Sequence, residues 1–480
     1  MKHDYDMVVL GGGSAGLVAS GMSSLLGAKT MLVERHRLGG DCTWTGCIPS
    51  KALLGVAKIA HRARTANRAG LALSTPEFDF GRVMEHVRNL RQKVYEHADA
   101  PPNFERMGVT VVEATARFLD PHSVELTDGA GAVHRISSRR FVIATGAAPA
   151  DPGFAAGALT NETIFELRSR PDRLVVLGAG PVGIEMAQAF SRLGASVSVV
   201  APGPNILPRD EPELTRLLQH QLEDEGISFV LGHCGTAAER EESGTTVTLD
   251  DGRKLYCDAV LAATGRTPNI AGLGLDNAGV ATTKKGVIVN DRCRTSQKHI
   301  YASGDVTGRF QFTHMAEHMS KVAVTNAILR IPKFLDEKHV TWATFSDPEL
   351  ARVGASEDEL LKRGTQYSVY RYPFTKIDRA ITEGETAGLI KVLASKSGKI
   401  LGASILGAHA GEMIAEYAVA MRNGVGLQQL SETIHPYPTY MLGNRQTADQ
   451  VTLKWLDSPL LGILGRCFGY RGVRKGMSAI

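Results

Sequence analysis

Over the first two-thirds of the chain, apolar residues come in short unbroken runs that stop at glycine and give way to helical spacing. Such runs read as fully buried strands, and their alternation with helices predicts parallel sheets. MVVLGGGSAG, Met7 to Gly16, and RLVVLGAGPVG, Arg173 to Gly183, each predict a strand, a tight turn and a helix. FVIATGAAP (Phe141 to Pro149), AVLAATGRTPN (Ala259 to Asn269) and TSQKHIYASGDV (Thr295 to Val306) are further strands closing on small turns. From about Lys338 the texture changes. GLIKVLAS and KILGASILG alternate as antiparallel strands do, and GEMIAEYAVAMRNGV reads as a helix ended by Gly424. The expected fold class is α/β, with two doubly wound, Rossmann-like nucleotide-binding domains and a C-terminal α+β domain. The expected bounds are 1–150 and 271–337 for the first, 151–270 for the second, 338–457 for the third and 458–480 for an extension.

Composition narrows the class. The chain has 480 residues, 54 basic and 50 acidic, a formal net charge of +4 that argues against a nucleic-acid partner. Six cysteines in this length suit a reducing compartment and a cytoplasmic protein. Lys2 and the small-residue run from Met7 to Ala28 mimic a signal peptide, but Asp4, Asp6 and the interrupting glycines favour strand, turn and helix. No run reaches the length of about 18 strongly apolar residues that a membrane span needs.

Both glycine turns have G-x-G-x-x-G spacing: Gly11, Gly13 and Gly16, enclosing Ser14 and Ala15, and then Gly178, Gly180 and Gly183. The first glycine permits the turn, the second lets backbone approach a pyrophosphate, and the third packs helix on strand. Two such units predict two dinucleotide sites. Twenty-three residues beyond each first glycine stand Glu34 and Ala201. A carboxylate there accepts from unphosphorylated ribose hydroxyls, which Glu34 can do and Ala201 cannot. The second site therefore leans towards NADPH and leaves NADH open, with Arg209 the nearest candidate for a 2′-phosphate. Asp305, at a strand's C-terminal end, is placed to hold a polyol hydroxyl, although aspartate also favours turns for its own sake.

GGDCTWTGCIPSK, Gly39 to Lys51, sets Cys42 and Cys47 five positions apart. A zinc site would need further ligands at suitable spacing, and none is near, so no metal site is expected. On a regular helix the pair would rise about 7.5 Å, too far for a disulfide, so the two must span an irregular turn. Gly46 supplies freedom and Pro49 suits a first helical turn, which puts Cys47 at a helix N-terminus where a thiolate is favoured. Trp44, between the cysteines, could narrow access to them.

GGDCTWTGCIPSK resembles the redox-active disulfide signature of the FAD-dependent pyridine nucleotide disulfide oxidoreductases, which include dihydrolipoamide dehydrogenase, glutathione reductase and mercuric reductase. GGGSAG with Glu34, IATG, GAGPVGIE, ATGRTPN, IYASGD, FSDPELARVG and LGASILGAHAGEMI follow in the family's order. The resemblance implies a homodimer with a C-terminal dimerisation domain, in which electrons pass from NADH or NADPH to FAD, then to the disulfide. It implies Cys47 against the flavin, Cys42 as interchange thiol, Lys51 near the flavin and Glu185 as its ion-pair partner. Gly11, Gly13, Ser14, Ala15, Gly16, Glu34, Thr145, Gly146 and Asp305 would hold FAD, and Gly178, Gly180, Gly183, Gly265 and Arg266 would bound the nicotinamide site.

The chain departs from the disulfide reductases in TIHPYPTYMLG, Thr433 to Gly443. In the family a histidine, backed by a glutamate and supplied by the partner subunit, manages the thiol proton. Here Tyr437 stands at the histidine position and Leu442 at the glutamate position, with His435 two residues earlier. Mercuric reductases also have tyrosine there, and a thiolate-bound Hg(II) needs no assisted disulfide opening. They also carry a vicinal cysteine pair near their end, whereas this chain offers Cys467 alone. The expected acceptor is thus a small thiol, a disulfide or a thiol-bound metal. The alternatives are a disulfide reductase using His435 and a flavin-bound sensor without catalysis. The extension, with Arg466, Arg471, Arg474 and Lys475 among apolar residues, is either a packed or frayed end or a peripheral membrane contact.

Overall fold

The computed structural model describes residues 3–74, 77–456, 459–470 and 472. The chain forms two compact units. One holds the residues up to Pro202 with Gly226–Asp336, and the other Gly203–Glu225 with the residues from Glu337 onward.

In the first unit Met7–Leu10 is flanked by Thr30–Glu34 and Phe141–Ile143, and the five-stranded parallel sheet is completed by Val109–Glu113 and Ile300–Ala302. A second parallel sheet repeats the plan, with Arg173–Leu177 between Ser196–Ala201 and Ala259–Ala262 and with Ser228–Leu231 at its edge. In each sheet the chain's first strand lies where the connections change direction, the place where open α/β sheets bind ligands. The two glycine turns leave those strand ends. Ala147–Pro149 and Arg266–Pro268, the segments after the two Thr-Gly turns, pair antiparallel with each other.

The second unit is a five-stranded antiparallel sheet in the order Thr341–Thr344, Glu349–Gly354, Ile400–Gly407, Leu389–Ala394, Ser368–Pro373. The helix Ala410–Arg422 buries Met413, Ile414 and Tyr417 against it and ends before Gly424, at φ 70°. The helix Pro212–Asp224 belongs to this unit, although its sequence falls inside the stretch 151–270. Its anchor is the buried Lys391, whose Nζ lies 2.7 Å from Glu211, 2.9 Å from Glu213 and 2.6 Å from Glu357. Arg371 also binds Glu213, and with Lys391 it holds that carboxyl down at about 2. Arg209 lies in the same unit.

Residues Pro459–Cys467 of the extension form a helix. Arg471, Arg474 and Lys475 lie outside the described residues. Among the described residues no helix is long and apolar enough to cross a membrane.

Candidate active site

The two glycine loops are built alike. Gly11 N–H donates to Val33 O at 2.8 Å and Gly178 N–H to Val200 O at 2.8 Å, and both glycines have positive φ, 105° and 113°. A Cβ on Gly16 would meet Gly11 O at 1.7 Å, and one on Gly183 would meet Gly178 O at 2.0 Å, so the third glycine is fixed by packing. The middle glycines differ. A Cβ on Gly180 would meet nothing within 4 Å, and one on Gly13 would meet only Gly40 Cα, at 3.8 Å. Open space above a helix N-terminus is what an approaching pyrophosphate requires.

Glu34 and Ala201 end equivalent strands. The Glu34 carboxylate accepts from Gly12 N–H at 2.7 Å and His36 N–H at 3.0 Å, which orients it and leaves further lone pairs for ribose hydroxyls. Asp305 begins a short 3-10 turn after Ile300–Ala302. Burial pushes its carboxyl up to about 6, against the opposing pull of Arg266, whose Nε is 3.4 Å away. That Nε is buried and lacks a hydrogen bond of good geometry. A buried, thinly satisfied carboxyl is suited to a polyol hydroxyl. Thr145 Oγ1 donates to Asn269 O at 2.8 Å and Asn269 returns a bond to Thr145 O at 2.9 Å, which ties the two Thr-Gly segments together beside Gly146 and Gly265.

The redox loop rests on the first glycine loop. Gly40, at φ 56°, approaches so closely that a Cβ there would sit 2.7 Å from Gly13 Cα. Cys42 lies in the short helix Gly40–Trp44, the chain turns through Thr45 and Gly46, and Cys47 is the first residue of the helix Cys47–Thr65. This is the irregular turn and helix N-terminus that the spacing requires. Pro49 and Ser50 start the buried face that Leu53, Ala57 and Ala60 continue, while Arg62 and Arg64 face the negative end of the helix dipole.

Both sulfurs are free thiols in contact with each other. The hydrogen bond from Cys42 lowers Cys47 to about 6, helped by Thr313, whose Oγ1 is 3.4 Å from the sulfur, and by the charge of Lys51. Cys42 moves the other way: its interaction with Cys47 and its burial push it well above the ordinary thiol range, although Thr313 and Ser14 oppose this. Ser14 therefore touches a sulfur as well as lining the glycine loop. Lys51 and Glu185 form the ion pair the resemblance implies, Nζ to Oε2 at 2.8 Å, with the carboxylate buried.

Three side chains at this site, Asp41, Asn161 and Thr313, were not singled out from the sequence. Asp41 binds Arg266 at 2.9 Å and accepts from Asn161 Nδ2 at 2.8 Å, so Arg266 stands between Asp41 and Asp305, beside the sulfur loop. Thr313 reaches Cys47 from 266 residues away. Asp41 alone could have been noticed, as a charge directly before a reactive cysteine. Trp44 does not narrow access to the sulfurs. Its ring is buried beneath Arg37 and against Tyr95, with Nε1 donating to Leu38 O at 2.7 Å.

In the second unit Tyr437 is 70% exposed, and its hydrogen bond to Asp378 raises the phenol above its ordinary value of 10. Leu442 is buried at the start of the helix Leu442–Leu456. The stretch around His435 is irregular, not strand-like. His435 Nδ1 faces Thr433 O at 2.9 Å and Nε2 faces Glu416 Oε1 at 2.7 Å, while Asn444 steadies the other Glu416 oxygen at 3.0 Å. Glu416, on the helix Ala410–Arg422, supplies a carboxylate that the sequence around Leu442 does not.

Comparison with known proteins matches residues 5–320 to the model described as pyridine nucleotide-disulphide oxidoreductase, and residues 340–444 to the dimerisation domain of the same name. Dihydrolipoyl dehydrogenase of Bacillus subtilis is 32% identical, with 92% of this chain and 96% of that protein covered. Mercuric reductase of Lysinibacillus sphaericus is 33% identical, over 93% and 82%. Among solved structures, a Cu(II) complex of the HOCl-induced flavoprotein disulfide reductase RclA from Escherichia coli aligns with a TM-score of 0.83 at 27% identity, covering 94% of this chain and all of that one.

Proposed function

The chain belongs to the pyridine nucleotide-disulphide oxidoreductase family, and from that premise we propose that its acceptor is a soft metal ion bound by thiols, such as Hg(II). Members are FAD-dependent NAD(P)H enzymes, so this protein is a flavoprotein oxidoreductase with a redox-active disulfide, and its dimerisation domain makes it a homodimer. What FAD supplies when bound is two-electron exchange between nicotinamide and sulfur. Gly11, Gly13, Ser14, Ala15, Gly16, Glu34, Thr145, Gly146 and Asp305 would hold it. Gly178, Gly180 and Gly183 would hold the NADPH or NADH pyrophosphate, with Gly265 and Arg266 alongside. Cys47 keeps a thiolate beside the flavin site, Lys51 and Glu185 fix the charge there, and Cys42 meets the acceptor. The few cysteines suit a reducing cytoplasm.

One observation carries the choice of acceptor: the family's histidine position holds a tyrosine that stays protonated at neutral pH. Reducing a disulfide with NAD(P)H yields two thiols and consumes a proton, which must be delivered to the leaving sulfur. Reducing Hg(II) held by two thiolates yields the metal, two thiolates and NAD(P)+, and releases a proton. The second reaction needs no base at position 437. Soft-metal binding by Cys42 follows from thiolate chemistry, and the phenol of Tyr437, supplied across the homodimer, would orient the incoming complex.

His435 with Glu416 supports a second reading, a dihydrolipoyl dehydrogenase-like disulfide reductase. Against it, both ring nitrogens of His435 already face oxygen atoms of its own chain, Thr433 O and Glu416 Oε1, so neither is turned towards a substrate. Steady-state NADH and NADPH oxidation with Hg(II)-thiol, lipoamide and oxidised glutathione separates the two. Metal-dependent turnover that falls at least tenfold in Tyr437→Phe supports the first. Fast lipoamide turnover that His435→Gln abolishes, without metal-dependent oxidation, rejects it.

A further inference from the structure

The helix Pro459–Cys467 turns its apolar stripe outward. Leu460, Ile463, Leu464, Cys467 and Phe468 follow at three- and four-residue steps, which at about 100° per residue gathers them on an arc of roughly 140°. Leu460 is 66% exposed, Ile463 59% and Phe468 75%, whereas Gly462 and Gly465 on the other side, and Leu461 at the edge of the arc, are half-buried. A helix that serves only its own core does the reverse. Tyr470, just beyond, is exposed as well.

Charge adds a second, independent observation. Residues 459–480 contain Arg466, Arg471, Arg474 and Lys475 and no aspartate or glutamate, a formal +4. The whole chain, with 54 basic and 50 acidic residues, is also +4. Everything before residue 459 is therefore formally neutral, and the entire excess falls, in sequence, within the same segment as the exposed apolar stripe.

We propose that residues 459–480 dock this enzyme on the surface of an anionic lipid bilayer. The apolar arc enters the boundary between headgroups and acyl chains, Phe468 and Tyr470 take the interfacial level, and Arg466 meets anionic headgroups, with the +4 charge of the segment adding attraction. Neither signal suffices alone, since a short apolar face and a basic cluster each bind weakly and reversibly. The helix is too short to span, so the contact is peripheral. A second copy of the chain could cover the same arc. A self-complementary contact would, however, bring together two segments of formal charge +4, which like-charge repulsion opposes. The inference is independent of the electron acceptor.

Co-sedimentation of the full-length, FAD-loaded protein with phosphatidylcholine vesicles, with and without phosphatidylglycerol, tests the proposal. Binding at least tenfold stronger to the anionic vesicles, released by high salt, is expected. Ile463→Glu combined with Leu464→Glu should remove it by tenfold or more, and Arg466→Gln should weaken it about fivefold. Both variants should keep NAD(P)H oxidation with a soluble dye acceptor, which shows that they fold. Equal binding to neutral and anionic vesicles, or no binding to either, overturns the proposal. So does a change in solution mass of the Ile463→Glu, Leu464→Glu variant with vesicle binding intact, which would make the stripe an interface between copies.

Discussion

Cys47 draws its thiolate character from several neighbours acting on one sulfur: the Cys42 thiol, the Thr313 hydroxyl, the Lys51 charge and the first turn of its own helix. Because its pKa is lowered to about 6, the thiolate is present above that pH and lost below it. Alkylation of the reduced enzyme should accelerate as pH rises through about 6, and Thr313→Val should raise that midpoint by roughly one unit. An unmoved midpoint would remove Thr313 from the account. Lys51 was legible as a motif residue and its partner Glu185 through the family resemblance, while no local spacing points to a carboxylate 134 residues away. Lys51→Met should destabilise the protein by about 2–4 kcal/mol, because the Glu185 carboxylate stays buried beside an apolar chain. Glu185→Gln, which removes the buried charge, should cost less in the same denaturant titrations.

At the scale of elements, the two strand-turn-helix units were readable because each glycine answers a separate physical demand. Gly183→Ala should destabilise the nucleotide fold by several kcal/mol, since the added carbon would sit 2.0 Å from Gly178 O. Gly180→Ala should leave unliganded stability within about 1 kcal/mol, its φ of −78° being ordinary, while weakening NAD(P)H binding tenfold or more. Thermal melts set beside equilibrium dinucleotide binding would separate the two effects. If Gly180→Ala bound normally, the open space above it would not be the pyrophosphate path. The allegiance of the helix Pro212–Asp224 was not readable. The cations that claim Glu211 and Glu213 come from strands about 160–180 residues away, a distance at which sequence spacing carries no register.

Across the whole molecule, buried carboxyls in both units shape the response to pH. Asp210, buried and bonded to Trp342 Nε1 at 2.8 Å, is pushed up to about 6 by desolvation, as Asp305 is. A carboxyl raised from 3.8 to about 6 adds stability that is full below 3.8 and lost as pH rises through 6. Glu213, lowered to about 2, works in the opposite sense: its contribution is present above 4.5 and lost as pH falls through 2. Asp210→Asn should therefore flatten the fall in stability between pH 4 and 7. It should also make the protein more stable at pH 8, on the order of 2 kcal/mol, with the amide oxygen still accepting from Trp342. Urea unfolding at pH 5 and pH 8 checks this, and an unchanged slope would mean that Asp210 is not the group responsible.

By itself the sequence determined what depends on neighbours a few residues apart. The glycine turns, the alternation of strands and helices and the Cys42–Cys47 turn lie in local spacing, where sterics and periodicity act directly, and the Thr433–Gly443 departure shows against the family resemblance. Only the tertiary structure decided which groups complete each local feature. Asp41 and Arg266 stand beside the sulfurs, Thr313 meets Cys47, Glu416 occupies His435, and the stripe of Pro459–Cys467 faces outward. The physical reason is that a proton's position and a helix's inward face are set by charge, burial and hydrogen bonds across the fold. Those neighbours are close in space and arbitrarily far apart along the chain.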